Sequence, residues 1–202
     1  MNEKKVRTPA DYPQPIPVIT GDCIGFLAAD PYTIRTVILR TGHVTGEQHG
    51  ESQGKILLPG GIYEIAKHNT PWDIGVIELK EETGFVLDKS RLIRFLLSYR
   101  TQVDQRAWCE LRTTHCYNHV VAAPITQVSG PTDTEEVAKV LWTDVRTMTP
   151  EQSARGHFEY MQAWRAFLDH NGGKFDGSIL KAPIELSDKH PAFVQGHPHW
   201  IE

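Results

Sequence analysis

The chain has 202 residues, 40% of them hydrophobic, which suits one domain with a sizeable core. A formal charge of −4 and a pI near 6.2 exclude a basic footprint for nucleic acid, and the longest apolar runs, such as CIGFLAA, are far too short to cross a bilayer. The opening MNEKKV runs into polar, proline-rich sequence without an apolar segment, and Cys23, Cys109 and Cys116 lack metal-type spacing, so a cytoplasmic protein with reduced thiols is expected.

In chain order, Pro9, Pro13, Pro15 and Pro17 predict an extended arm over residues 1–17. CIGFLAA (23–29) and TIRTVILR (33–40) read as strands joined by a turn at Asp30-Pro31, and the polar, glycine-rich stretch 41–54 reads as a loop. KILLPGG (55–61) reads as a short strand closed by a glycine turn. Thr70 as cap, Pro71 at the first helical position and Asp73 as a capping-box acid predict a helix over 71–83, ended by Gly84 in the left-handed conformation. Trp72, Val76 and Leu79 lie opposite Glu78 on that helix, so its apolar side should meet a sheet while its carboxylates face out.

Strands are expected at 91–102, 114–125 and 137–145. Thr149-Pro150-Glu151-Gln152 then repeats the cap-plus-proline start, and Phe158, Met161, Trp164, Phe167 and Leu168 form an apolar stripe of a second helix, a pattern that belongs to core packing. Residues 171–202, rich in Gly, Pro and His, read as a tail that wraps the surface or contacts a second copy in a homodimer.

The chemistry concentrates in VIELKEETGF (76–85). Offsets of three and four residues bring Glu81 and Glu82 to either side of Glu78, and each like-charge pair costs about 0.2–0.5 kcal/mol on an isolated helix. Such a run is usually a solvated face, unless water or a cation answers the repulsion. Here it follows Pro59-Gly60-Gly61 and a capped helix start and ends on Thr83-Gly84-Phe85.

On these residues the chain resembles the Nudix hydrolases, whose box reads G-x5-E-x7-R-E-U-x-E-E-x-G-U, with U a bulky apolar residue. The resemblance covers residues 18–170 and implies an α/β (α+β) domain, an α/β/α sandwich around a mixed sheet. It also implies Mg²⁺ or Mn²⁺ as cofactor, hard ions that prefer carboxylate oxygens. Glu81 and Glu82 would be the main metal ligands, Gly60 would lend its backbone carbonyl, and Glu78 would complete the site or take a proton from the attacking water; Glu78 and Glu82 are thus the candidate catalytic pair. A further acid often precedes a late strand carrying tryptophan, which points to Glu136, beside Glu135, before VAKVLW; the same residues suit a polar turn.

Two departures from the box stand out. Its arginine falls fourteen residues after the glycine, whereas Gly61 to Ile77 spans sixteen, and Ile77 stands in the arginine's place. Isoleucine cannot pair with a carboxylate; either another arginine folds into the role, the site is weakened by a lost function, or the core was rebuilt around an apolar residue, the reading the two-residue insertion favours. Where the box expects its first glutamate, counting forward gives Lys67 and counting back gives Asn69; Glu64 is the nearest carboxylate.

Substrate contacts are the least legible part. Arg100 and Arg112, with Glu64, are the substrate-binding candidates; Arg91, Arg94 and Arg106 add cations, and Tyr99, Trp108, Tyr117 and Trp142 could stack on a base, though each alone suits solvent or core. His115 and His119, at even spacing on one strand, read as structural, and His190, His197 and His199 as surface or packing residues. The implied partner is a small nucleotide-type molecule: a nucleoside diphosphate linked to another moiety, with ADP-ribose or a nucleotide sugar first. The alternative is a weakened domain of the same fold that binds a nucleotide or a partner protein without turnover. An isomerase of prenyl diphosphates is a weaker third reading, because no cysteine is clearly placed for that chemistry.

Overall fold

The computed structural model describes residues 16–40, 54–101, 114–128, 130, 135–154 and 156–175. The proline-rich stretch up to residue 15, nearly all of the 41–54 loop, and the tail beyond residue 175 with its three histidines lie outside them. The strands are β1 (Ile16–Leu27), β2 (Asp30–Leu39), β3 (Gly60–Ile62), β4 (Phe85–Leu87), β5 (Ile93–Thr101), β6 (Thr114–Val128) and β7 (Val137–Asp144); the helices are α1 (Asp73–Thr83) and α2 (His157–His170).

The strands form one mixed sheet in the order β4-β6-β1-β2-β7, with β3 also pairing β1 and β5 also pairing β6. β1 and β6 run parallel from Ile16↔Thr114 to Phe26↔Pro124, and the other pairs are antiparallel. Side chains alternate across these two central strands, and that alternation sorts the core into layers. Ile24, Phe26, Val120 and Ala122 pack with Met161, Trp164, Phe167 and Leu168 of α2. Cys23, Val121 and Ala123 pack with Leu79 of α1 and with Phe85 and Leu87. The helices therefore cover opposite faces, an α/β/α sandwich of the α+β class.

Helix α1 begins two residues later than its sequence punctuation suggests. Trp72 is the N-cap and gives no side-chain cap, while the Asp73 carboxylate accepts from the Thr70 N–H at 2.8 Å, so the acid caps the turn before the helix. Its end agrees with expectation: Gly84 sits at φ 72° and its N–H donates to the Lys80 carbonyl. The Pro59-Gly60-Gly61 segment departs from expectation. Its glycines form β3 against β1 rather than a turn, and Cys23 N–H donates to the Pro59 carbonyl at 2.8 Å.

The second helix starts later still. Thr149 and Gln152 bond each other in a separate turn, and α2 opens at Gly156, whose N–H donates to Glu159 Oε2. The cap-plus-proline signature thus marks a turn; the stripe from Met161 to Leu168 is buried as its periodicity requires.

Candidate functional site

Three elements meet at the acidic end of α1: β3, the turn Tyr63–His68 and the helix itself. Gly75 lets α1 approach β1 closely, because a Cβ there would stand 2.7 Å from the Asp22 carbonyl carbon and 2.9 Å from a Val121 methyl. Gly60 is equally crowded, since a Cβ would lie 2.5 Å from the Gly21 carbonyl oxygen and 2.9 Å from Asp22 Cγ. These two glycines bring α1, β1 and β3 close enough for their polar groups to touch.

The three glutamates do not share one environment. Glu81 is 39% exposed by side chain, Glu78 14%, and Glu82 is buried at 5%. The expectation that the carboxylates face out therefore fails for Glu82. The reason is β3, whose Gly60 lies over the helix end and donates a backbone hydrogen bond to the Glu82 carboxylate. Glu82 Oε2 is buried with no hydrogen-bond partner. Burial, followed by the like charges of Glu78, Glu136 and Asp22, holds the Glu82 carboxyl well above the usual carboxylate range.

Lys67 joins the other two. Its ammonium lies 2.7 Å from Glu78 Oε1 and 2.5 Å from Glu81 Oε2, bridging one oxygen of each. Desolvation works against that charge, but the hydrogen bonds and attraction of both carboxylates outweigh it and raise the Lys67 pKa. The turn carrying Lys67 is pinned from below. His68 is buried, its Nδ1 accepts from the Glu64 N–H at 2.9 Å, and the Tyr63 hydroxyl donates to the His68 carbonyl. An accepting Nδ1 leaves the ring proton of neutral His68 on Nε2, which is buried 4.0 Å from Glu78 Oε1 without a hydrogen bond.

A second buried acid lies beneath β3. Asp22 of β1 is 6% exposed and accepts from the Asn118 amide of β6. His157 Nδ1 comes within 3.7 Å of Asp22 Oδ1, yet it also accepts from the Leu58 N–H at 3.2 Å, so this nitrogen presents a lone pair rather than a proton. Burial dominates and raises the Asp22 carboxyl above its ordinary value, with the Asn118 hydrogen bond acting in the opposite sense.

Other sequence candidates fall elsewhere. Glu136 is half-buried just before β7 and close enough to act on Glu82 as a like charge. The Glu64 side chain is exposed while its backbone builds the turn. Arg100 contributes backbone to β5 opposite His115, but its side chain and the whole of Arg112 lie outside the described residues, as do Arg106 and Trp108. Trp142 lies 5.6 Å edge-on to Phe85 with the Arg35 guanidinium over both rings. His119 packs edge-on to Trp72 at 4.7 Å, as a structural histidine would.

Sequence reasoning did not assign roles to Lys67, His68, Asp22 or Asn118. The count from Gly61 had landed on Lys67, and Asp22 interrupts an otherwise apolar strand; those were the available signals.

No family model matches the sequence, and no curated protein does. Solved structures do. The Nudix domain of NrtR from Shewanella oneidensis, solved with ADP ribose, is 18% identical and superposes with a TM-score of 0.50 over 77% of this chain and 89% of that one. The chain has the Nudix fold. Other solved structures with this fold include a UDP-X diphosphatase, at 16% identity and TM-score 0.49 over 82% and 68% of the two chains, and a MutT Nudix hydrolase from Burkholderia pseudomallei, at 14% and 0.49 over 72% and 95%. Among the described residues no helix is long and apolar enough to cross a membrane.

Ile77, which stands where the Nudix box has arginine, is half-buried and is not among the side chains of the three core clusters. This corrects the reading of a core rebuilt around it. Ile77→Arg should therefore fold, with a stability change within about 1 kcal/mol in thermal melts. A loss of several kcal/mol would mean that Ile77 packs as a core residue after all.

Proposed function

We propose that this Nudix-fold protein is a divalent-metal-dependent hydrolase that cuts a phosphoanhydride bond in a nucleoside diphosphate linked to another moiety, with ADP-ribose or a nucleotide sugar as the first candidates. One observation carries the reading: Glu82 Oε2 is buried, without a partner, among like charges. An unpaired buried polar group costs about 1–3 kcal/mol and a charged one more. A hard cation removes that cost, and the surrounding donors are carboxylate oxygens, the type that Mg²⁺ and Mn²⁺ prefer.

Among the described residues no group of three His, Cys, Asp or Glu side chains is placed to hold a metal ion, and Lys67 holds an oxygen of Glu78 and of Glu81. The donor chemistry fits the ion nonetheless, and Glu82, Glu81, Glu78 and the Gly60 carbonyl are the residues that would hold it, with Glu136 at the rim. Bound there, the ion would neutralise charge on the phosphate oxygens. Glu78, its side chain 14% exposed, would accept the proton of the attacking water as the water oxygen bonds to phosphorus and the bridging oxygen leaves with the electron pair of the broken bond. Buried Glu82 must itself release a proton before it can hold a cation, so activity should rise with pH. The choice of ADP-ribose draws support from the NrtR Nudix domain, whose structure holds that ligand.

A second reading, nucleotide binding without turnover, is favoured by Ile77 in the arginine's place and by the ammonium already seated on two of the three carboxylates. A mass-spectrometric screen over nucleoside diphosphate compounds with Mg²⁺ and with Mn²⁺ separates the two. Hydrolysis products are expected; thermal shifts with a nucleotide but no product would favour the binder.

A further inference from the structure

We infer that Lys67 is a built-in counter-cation of the carboxylate site: its ammonium takes the seat between Glu78 and Glu81 and sets the affinity for divalent ions low. The inference rests on the proposed metal site, and it adds a competitor for the ion within the chain itself.

Geometry distinguishes this lysine from a surface ion pair. Its Nζ is within 2.7 Å of two carboxylate oxygens from adjacent turns of α1, the arrangement in which like charges otherwise repel. Only 28% of its side chain is exposed. The backbone that carries it is anchored: Lys67 N–H and His68 N–H both donate to the Glu64 carbonyl, at 3.0 and 2.9 Å, and the buried His68 ring fixes the turn through Glu64 N–H. Backbone anchored in this way keeps the Lys67 ammonium within reach of both carboxylates when an ion arrives. The charge pattern agrees, because the carboxylate that Lys67 does not reach, Glu82, is the one left with an oxygen unpaired. Glu82 with Gly60 therefore offers an ion its open position, while Glu78 and Glu81 are shared with the ammonium.

A unit positive charge close to a divalent ion weakens its binding by about tenfold even at the dielectric constant of water, and by more in a partly buried site. Lys67→Met, which keeps the length of the apolar stem, is expected to tighten Mn²⁺ binding by about tenfold or more, measured by electron paramagnetic resonance of free Mn²⁺. Lys67→Arg, which keeps the charge, should stay close to the parent. Lys67→Gln provides a second charge-free variant should the methionine variant fail to fold, as judged by circular dichroism. Equal or weaker Mn²⁺ binding in the folded charge-free variants would overturn the inference while leaving the metal site standing. Absence of Mn²⁺ binding by the parent and by every variant would overturn both. Binding by the charge-free variants alone would support the inference in its strongest form.

Discussion

Replacing Glu82 by glutamine is expected to lower metal-dependent turnover by about 10²–10³-fold, the range found on removing one preorganised electrostatic group, and at the same time to stabilise the metal-free protein. The two effects have one cause. Glu82 is buried beside Glu78, Glu136 and Asp22, with one oxygen bonded by the Gly60 N–H and the other unpartnered. Glutamine keeps the shape and can keep the Gly60 bond, but it removes the charge that a cation would answer. Melts at pH 8 without metal should show a gain of roughly 1–3 kcal/mol, the cost of leaving a buried group unsatisfied. Added Ca²⁺, Mg²⁺ or Mn²⁺ should raise the melting temperature of the parent and not of the variant.

The pH dependence has a definite sign. The folded-state pKa of Glu82 is raised above its unfolded value, so the folded state binds the proton more tightly. The associated stability is fully present below the unfolded carboxylate pKa of about 4.3 and declines as pH rises toward the raised folded value. Metal-free parent should therefore lose stability across that interval. Glu82→Gln should flatten the slope but not remove it, because Asp22 is shifted in the same direction. A variant with unchanged metal response and an unchanged pH slope would dissociate Glu82 from the site.

Gly75→Ala is expected to destabilise the fold by about 2–3 kcal/mol or more, although helix propensity alone would favour alanine by about 1 kcal/mol. The added methyl would stand 2.7 Å from the Asp22 carbonyl carbon and 2.9 Å from a Val121 methyl, and its closest neighbour, the Asp22 carbonyl oxygen, belongs to backbone at the centre of the sheet. Backbone there cannot rotate aside as a flexible side chain would. Helix α1 would have to lift off β1, carrying Glu78, Glu81 and Glu82 away from Gly60. Chemical denaturation should register the loss, and the metal-induced thermal shift should shrink with it. An alanine variant as stable as the parent would show that α1 docks less closely than the structure has it.

The sequence by itself determined the longer strands and the two helices in their order, though not β3 at Gly60–Ile62 or β4, together with the acidic end of α1 and the amphipathic stripe of α2, because hydrophobic periodicity and helix-ending glycines act over a few neighbouring residues. Gly84 and the Met161–Leu168 stripe were legible for that reason, and so was the resemblance that pointed to the Nudix fold. The start of α2 was not. Thr149-Pro150 has the chemistry of a helix cap, but the segment to Ala154 is drawn into pairing with Ile56, whose carbonyl accepts from Ala154 N–H, and a partner 98 residues away in sequence leaves no local signal. The same reason hid the state of the three glutamates. On a helical wheel they are equivalent neighbours; in the fold, β3 covers Glu82, the Lys67 turn reaches Glu78 and Glu81, and Asp22 arrives from the opposite side of the sheet. Burial and ion pairing depend on which distant segments come to lie over a residue, so the tertiary structure alone decided that Glu82 is buried with an unpartnered oxygen while Glu78 and Glu81 share the Lys67 ammonium.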